Sequence, residues 1–206
     1  EFGFEALAFV LLADYGKHDK NIPYSNPAFQ QRIRMLQEKL PVGIHPSYDT
    51  CNDALRLKKE LHRLVEILAR PVSLSRQHYL RFNLPLTYEI LLDAGIRHEY
   101  SMGYSPVTGF RAGTSHSFLW YHLVKETVTS LRVHPVCAMD VTLKNQMQLT
   151  PGKATETLIT LLEQVRAVNG NFICIWHNES ISEFGEWSGW SDVFKTLTRK
   201  ALSLQA

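Results

Sequence analysis

Three short apolar runs in this chain stop on a side chain able to do chemistry. Val42-Gly43-Ile44 runs into His45, Pro71-Val72-Ser73-Leu74-Ser75 into Arg76, and Phe172-Ile173-Cys174-Ile175-Trp176 into His177. An imidazole titrates near neutrality and can bind a metal or move a proton. A guanidinium stays charged and presents a rigid fork to a carboxylate or an anionic intermediate. Runs this short between helical patterns read as buried parallel strands. The residue just past such a strand's carboxyl end is where α/β folds place ligands and chemistry.

Each of these residues has two readings. His45 stands in Gly43-Ile44-His45-Pro46-Ser47-Tyr48-Asp49, where Gly43 permits close backbone approach. His45 and Asp49 together suit zinc, iron, cobalt or nickel; the alternative is a hydrogen-bonded histidine at a helix entry, with Asp49 as its N-cap. Arg76 opens Arg76-Gln77-His78-Tyr79-Leu80-Arg81-Phe82, whose interleaved polar and aromatic residues favour an orienting cation over a surface salt bridge. His177, beside Trp176, reads as a proton donor or as a structural histidine bonded to Asn178 or Glu179. Trp187 and Trp190 read as a sugar-stacking rim or as a hydrophobic cover over the last helix. His18, His62, His116 and His122 read as loop or helix-surface residues.

The elements that must position these groups alternate. Ala6 to Leu12 reads as a buried strand, and Ser25 or Asn26 caps a helix with Pro27 in its first turn and Phe29, Ile33 and Leu36 at helical spacing. After the strand to His45, Asp49 or Thr50 caps a helix striped by Leu57, Leu61, Leu64 and Leu68. Leu84 to Ala94 is a short helix stopped by Gly95. Tyr100 to Ser117 is a long irregular segment carrying Tyr104, Phe110 and Arg111, a composition suited to ligand contact. Phe118 to Leu123 and Leu131 to Met139 read as strands around a turn. Thr150-Pro151 opens an amphipathic helix through Leu158, Leu161, Leu162, Val165 and Val168, and a last helix starts near Ser191. This order implies a mostly parallel sheet, in a barrel or doubly wound arrangement.

Composition narrows the function classes. The 206 residues fit one domain of ordinary size, and 22 Lys+Arg against 20 Asp+Glu give a formal charge of +2. That balance lacks the concentrated basic face a nucleic-acid partner needs. No apolar stretch approaches the ~20 residues that span a bilayer. Cys51, Cys137 and Cys174 form no CxxC pair and read as buried small hydrophobes rather than a disulfide or zinc framework.

Taken in order, these strings resemble the polysaccharide deacetylase superfamily (NodB homology, carbohydrate esterase family 4), and within it a divergent bacterial branch. The matching strings are Val42-Gly43-Ile44-His45-Pro46-Ser47-Tyr48, Ser75-Arg76-Gln77-His78-Tyr79-Leu80-Arg81-Phe82, Tyr100-Ser101-Met102-Gly103-Tyr104 with Gly109-Phe110-Arg111-Ala112-Gly113, and Ile175-Trp176-His177-Asn178. The resemblance implies a single deacetylase-like α/β domain over residues 1–206, a distorted (β/α) barrel, and metal-dependent removal of N- or O-linked acetyl groups from a carbohydrate. It implies that His45 is a metal ligand, that the family's second ligand histidine falls on Asp49, and that Arg76 orients the catalytic base. It places Tyr79 in the groove wall, with Arg111 and Trp176 as further substrate contacts, and makes His177 the general acid. The implied cofactor is a divalent metal, zinc first, with cobalt, nickel or iron as alternatives. The implied partner is an acylated saccharide.

The family's first motif is an Asp-Asp pair that supplies the base and a metal ligand. Nothing before His45 matches it, because Asp14 follows a run that better matches the family's second strand. The resemblance therefore places the first strand upstream of Glu1, in a longer protein. A second reading is a non-catalytic saccharide-binding relative. Asp49 in place of a histidine favours that reading, whereas Arg76 and His177 favour the hydrolase.

Overall fold

The apolar runs become strands: Val42–Ile44 matches its run, and those that end on Arg76 and His177 shrink to two residues each. The computed structural model describes residues 5–204. In it β1 (Ala8–Val10), β2 (Val42–Ile44), β3 (Leu74–Ser75), β4 (His98–Glu99), β5 (Phe118–His122) and β6 (Thr127–Val133) form a six-stranded sheet ordered β1-β2-β3-β4-β6-β5. Strands β1 to β4 and β6 run parallel, and β5 pairs with β6 antiparallel. A separate parallel pair joins β7 (Ala138–Met139) to β8 (Cys174–Ile175), with Ala138 opposite Cys174 and Met139 opposite Ile175. The chain clusters into two units: a sheet unit of Ala6–Ser101 and Phe118–His134, and a helical unit of Met102–Ser117 with the residues from Pro135 onward.

The sequence expectation merged two strands at Leu131–Met139. The strand stops at Val133, and Pro135, which has no N–H to give a ladder, follows two residues later. Strand β4 carried no apolar signal, since its residues are His98 and Glu99.

In the sheet unit, α1 (Pro27–Gln37) begins where Asn26 Oδ1 accepts the N–H groups of Ala28 and Phe29. Helix α2 (Ala54–Leu68) is capped by Asp53, not by Asp49 or Thr50. Asp53 is extended and accepts the Arg56 N–H at 3.0 Å, while Thr50 turns its hydroxyl onto the Ser47 carbonyl and opens a short 3₁₀ turn. The predicted stripe of Leu57, Leu61, Leu64 and Leu68 is buried. Helix α3 (Leu86–Asp93) follows β3, and Gly95 ends it with φ +87°.

Gly43 is required by space. A Cβ built there lies 2.7 Å from both the Cβ and the carbonyl oxygen of Leu74, and 2.9 Å from a ring carbon of Phe9. The chain thus brings β2 close to its neighbours at the residue that precedes Ile44 and His45.

In the helical unit, α4 (Pro151–Ala167) and α5 (Trp190–Ser203) enclose a core of Leu143, Ala154, Leu158, Leu162, Val193 and Leu197. Trp187 and Trp190 belong to that core, 6% and 2% exposed, which settles them as packing residues rather than a stacking rim. Among the described residues no helix is long and apolar enough to cross a membrane.

Candidate active-site residues

Along the carboxyl edge of the sheet, the residue after each of β2, β3, β4 and β6 is pinned in the same way. Its N–H donates to the last carbonyl of the neighbouring strand: His45 to Val10, Arg76 to Ile44, Tyr100 to Ser75, and His134 to Glu99, at 2.8–3.1 Å. The ladder therefore fixes the backbone of the very residues that carry chemistry. The apolar-run pattern locates His45 and Arg76; Tyr100 and His134 follow strands whose ends it does not mark.

His45 turns Nδ1 onto the Arg76 carbonyl. A carbonyl only accepts, so Nδ1 carries the proton and Nε2 the lone pair of the neutral ring. Beside it stands His78, the ring centres 5.0 Å apart. Nδ1 of His78 donates to Asp19 Oδ1 at 2.7 Å, so the neutral His78 ring too carries its lone pair at Nε2. Asp19 is buried, and its Oδ1 also accepts the Tyr48 N–H. The Pro46 carbonyl accepts the His78 N–H at 3.0 Å and joins the two imidazole loops. Behind them the buried Glu60 carboxylate takes both the N–H and the Oγ–H of Ser47, at 2.9 and 2.5 Å. Burial pushes the Glu60 carboxyl up despite these bonds.

The pair has the chemistry of histidine ligands. An imidazole that binds a metal through one nitrogen usually donates its other N–H to a carbonyl or carboxylate. Two imidazole nitrogens each ~2.0–2.1 Å from one ion bring their ring centres to roughly 5 Å. His45 and His78 fit a divalent ion as two of its ligands. Among the described residues no group of three or more His, Cys, Asp or Glu side chains is arranged to hold one.

Asp49 lies elsewhere in the network. Its side chain is 60% exposed, with its oxygens 3.5 Å from Arg56 and 3.4 Å from Arg81. The side chain that meets His45 is His78.

Arg76 spreads its guanidinium over the Phe9 ring, 4.8 Å from the centroid. Tyr79 is 59% exposed and holds φ +58°, a left-handed conformation costly for a bulky residue. That turn leans its ring on His78, with centroids 4.6 Å apart, and sets it edge-on to Tyr48 at 5.4 Å. Tyr48 is sandwiched between His18, stacked at 4.0 Å, and Arg81 at 4.3 Å. His18 is therefore part of this aromatic cluster. His122 is a buried strand residue bonded to Glu89, not a surface one. Asp19 and Ser47 also line a cleft of about 490 Å³ in the sheet unit, with Tyr15, His18 and Lys59 among its walls.

A column of rings runs along the same edge. Phe9 meets Tyr100 at 5.4 Å, Tyr100 stacks on His134 at 4.3 Å, and His134 Nε2 lies 3.0 Å from His98 Nδ1. Burial, then the neighbouring His98 and Arg132, push His134 down to about 4; burial and Arg132 also lower His98. The folded state thus refuses a proton that an unfolded histidine takes below about 6.5, so stability falls as pH drops through that window. We expect the melting temperature of the wild type to fall more between pH 6.5 and 4 than that of His134→Phe, which keeps a ring against Tyr100 but does not titrate. Parallel curves would contradict this.

In the helical unit, Asp140 follows β7 and Trp176-His177 follows β8, so the parallel pair sets their backbones side by side. Asp140 is fully buried. Its carboxylate accepts the His177 N–H at 2.6 Å, the His177 Nδ1–H at 2.7 Å, the Val141 N–H at 2.7 Å and the Ser180 hydroxyl. Burial alone would raise this carboxyl, but the His177 ring and backbone with Ser180 outweigh it and hold it low. His177 therefore bonds to Asp140 rather than to Asn178 or Glu179. Its tautomer is fixed, and its side chain, 35% exposed, offers Nε2 outward. Trp176 packs its ring on Phe194 at 5.2 Å and against the core. Arg111 is exposed in the irregular segment, beside a turn closed by the Gly113 N–H on the Phe110 carbonyl.

Comparison with known proteins supplies a fold. No protein-family model matches the sequence, and no curated protein matches it. Among solved structures, the chain is similar to a "putative polysaccharide deacetylase" from Mycobacterium smegmatis, with TM-score 0.69 and 15% sequence identity, over 98% of this chain and 67% of that one. The shared class is a mixed α/β fold of the deacetylase kind, with a sheet of parallel strands and flanking helices.

Proposed function

We propose that this protein is a deacetylase-like hydrolase, built on a distorted (β/α) barrel, that removes N- or O-linked acetyl groups from a carbohydrate. The observation that carries the reading is the Asp140–His177 dyad. A fully buried carboxylate, satisfied by four donors, fixes one imidazole nitrogen and leaves the other to exchange a proton. The likeness of fold supports the same class.

In this mechanism His177 Nε2 protonates the leaving amine or alkoxide. Asp140 holds the ring's orientation and tautomer and faces the charge it carries when doubly protonated. The Arg76 guanidinium orients an anionic group, and the exposed Tyr79 ring takes the apolar face of a sugar. A divalent ion, zinc first, would be held through Nε2 of His45 and of His78; when bound it supplies Lewis-acid polarisation of the acetyl carbonyl.

The test is metal content. About one divalent ion per chain is expected, with occupancy falling sharply in His45→Ala and in His78→Ala. A protein that takes up no zinc, cobalt, nickel or iron under any loading would remove the ion from the mechanism. One observation favours a second reading, a saccharide-binding relative without catalysis: the Asp49 carboxylate is engaged by Arg56 and Arg81. Such a protein would bind acetylated oligosaccharides and release no acetate.

A further inference from the structure

One peptide unit behind the imidazole pair is held at both ends. Its carbonyl, from Arg76, accepts the Nδ1–H of His45. Its N–H, from Gln77, donates to Ser101 Oγ at 2.7 Å. The Ser101 hydroxyl in turn donates to Glu99 Oε1. The other carboxylate oxygen, Oε2, accepts the Ser101 N–H at 2.9 Å and the Tyr88 hydroxyl at 3.2 Å. Every donor in the series His45, Gln77, Ser101 points the same way, and the series ends on a carboxylate.

Glu99, Ser101 and Gln77 are 0%, 0% and 1% exposed, so solvent does not compete for the bonds among these three. Hydrogen bonds aligned head to tail polarise one another, and a low local dielectric strengthens each. The strand edge brings the groups together: Glu99 ends β4, its ladder partner Ser75 ends β3, and Ser101 and Gln77 lie two residues past each.

We infer that Glu99 and Ser101 are positioning residues for His45, holding its imidazole in the Nδ1–H tautomer through the Arg76–Gln77 peptide. The inference rests on the proposed role of His45 as a ligand, because only the Nδ1–H form presents the lone pair at Nε2. Glu99 is not a catalytic residue: it touches His45 only through Ser101 and the backbone. A buried carboxylate is costly unless its bonds are made; here the Ser101 hydroxyl bond continues the path to the imidazole, the Ser101 N–H bond closes the turn, and the Tyr88 hydroxyl caps the remaining side. Burial pushes the Glu99 carboxyl up to about 7, against the opposing pull of Ser101, Tyr88 and the Tyr100 backbone. Measurements at pH 8 therefore read the ionised relay.

The experiment is ¹⁵N NMR of the histidine side chains in the metal-free protein at pH 8, where the two ring-nitrogen shifts report the tautomer. Wild-type His45 is expected in the Nδ1–H form. In Ser101→Ala, and in Glu99→Gln, a substantial fraction is expected to move to the Nε2–H form that free imidazole prefers. The Gln77 amide in Ser101→Ala should exchange at least tenfold faster. Leu131→Ala, a core truncation in the same unit, serves as the control: it should destabilise as much or more while His45 keeps its tautomer. If Ser101→Ala does not fold, Glu99→Gln and the control decide the matter. An unchanged His45 tautomer in the relay variants, or an equal shift in Leu131→Ala, would overturn the inference.

A Co²⁺ titration separates the two levels. The relay variants are expected to bind Co²⁺ about 10–100-fold more weakly than wild type, with Leu131→Ala unaffected. Wild-type protein that binds no Co²⁺ removes the ligand role of His45, and the tautomer then decides the relay by itself. Relay variants that match wild type in both tautomer and Co²⁺ affinity overturn the relay and leave the ligand role standing.

Discussion

Replacing His177 by alanine is expected to lower kcat/KM for acetyl hydrolysis by roughly 10²–10⁴-fold, the usual contribution of a positioned general acid. The loss should fall mainly on kcat, because the group acts on the leaving atom in the transition state and adds little to substrate binding. Asp140→Asn tests the same unit from behind. The asparagine amide can donate where the carboxylate only accepted, so the donors from His177, Val141 and Ser180 can no longer all be met. A rate loss is expected there too, with a cost in stability from the buried groups left unpaired. Circular dichroism and a thermal melt separate the two effects. If His177→Ala, correctly folded, turned over substrate at the wild-type rate, the acid role would be lost.

Gly43→Ala is expected to destabilise the sheet unit by about 1–3 kcal/mol or more. The added methyl meets the backbone oxygen of Leu74 as well as its Cβ, at 2.7 Å each, so one strand must move. For a chain of this size such a loss lowers the melting temperature by several degrees, at ~2–4 °C per kcal/mol. The displacement also acts on His45 two residues on, so metal affinity should fall along with stability. Gly95→Ala is the informative contrast. A Cβ at Gly95 meets nothing within 4 Å, and its φ of +87° makes the cost purely conformational, roughly 1 kcal/mol. A Gly43→Ala variant melting within a degree of wild type would show that the strands tolerate separation at this point.

What the sequence revealed depended on how local the physics was. The stop of an apolar run on an ionisable residue located His45, Arg76 and His177, because a short buried strand and its polar end are a local pattern. Asp140 carries the same signature, at the end of the run through Met139, but Pro135 inside that run masks the boundary between β6 and β7. The cap of α1 was legible to within one residue, Ser25 or Asn26, since Pro27 marks the first turn, and the structure selects Asn26. The cap of α2 was not, because Asp49, Thr50 and Asp53 all qualify by type and only the 3₁₀ turn between them decides.

Long-range pairing was out of reach. His78 and Asp19 meet across 59 residues, and no spacing rule announces that contact. Asp49 was attractive as a ligand because it follows His45 by four residues, but the strand-end turn sends it toward Arg56 and Arg81. The place of Trp187 and Trp190 followed from the packing of α4 against α5, which composition alone leaves open.

The most direct measurement is acetate release. Purified protein, loaded with zinc or cobalt, is incubated with a panel of N- and O-acetylated oligosaccharides, and free acetate is followed over time beside His177→Ala and His45→Ala. Wild type is expected to release acetate catalytically from at least one member of the panel, and both variants to lose nearly all of that activity. Binding of acetylated saccharide with no acetate release under any metal loading would contradict the proposed hydrolase function.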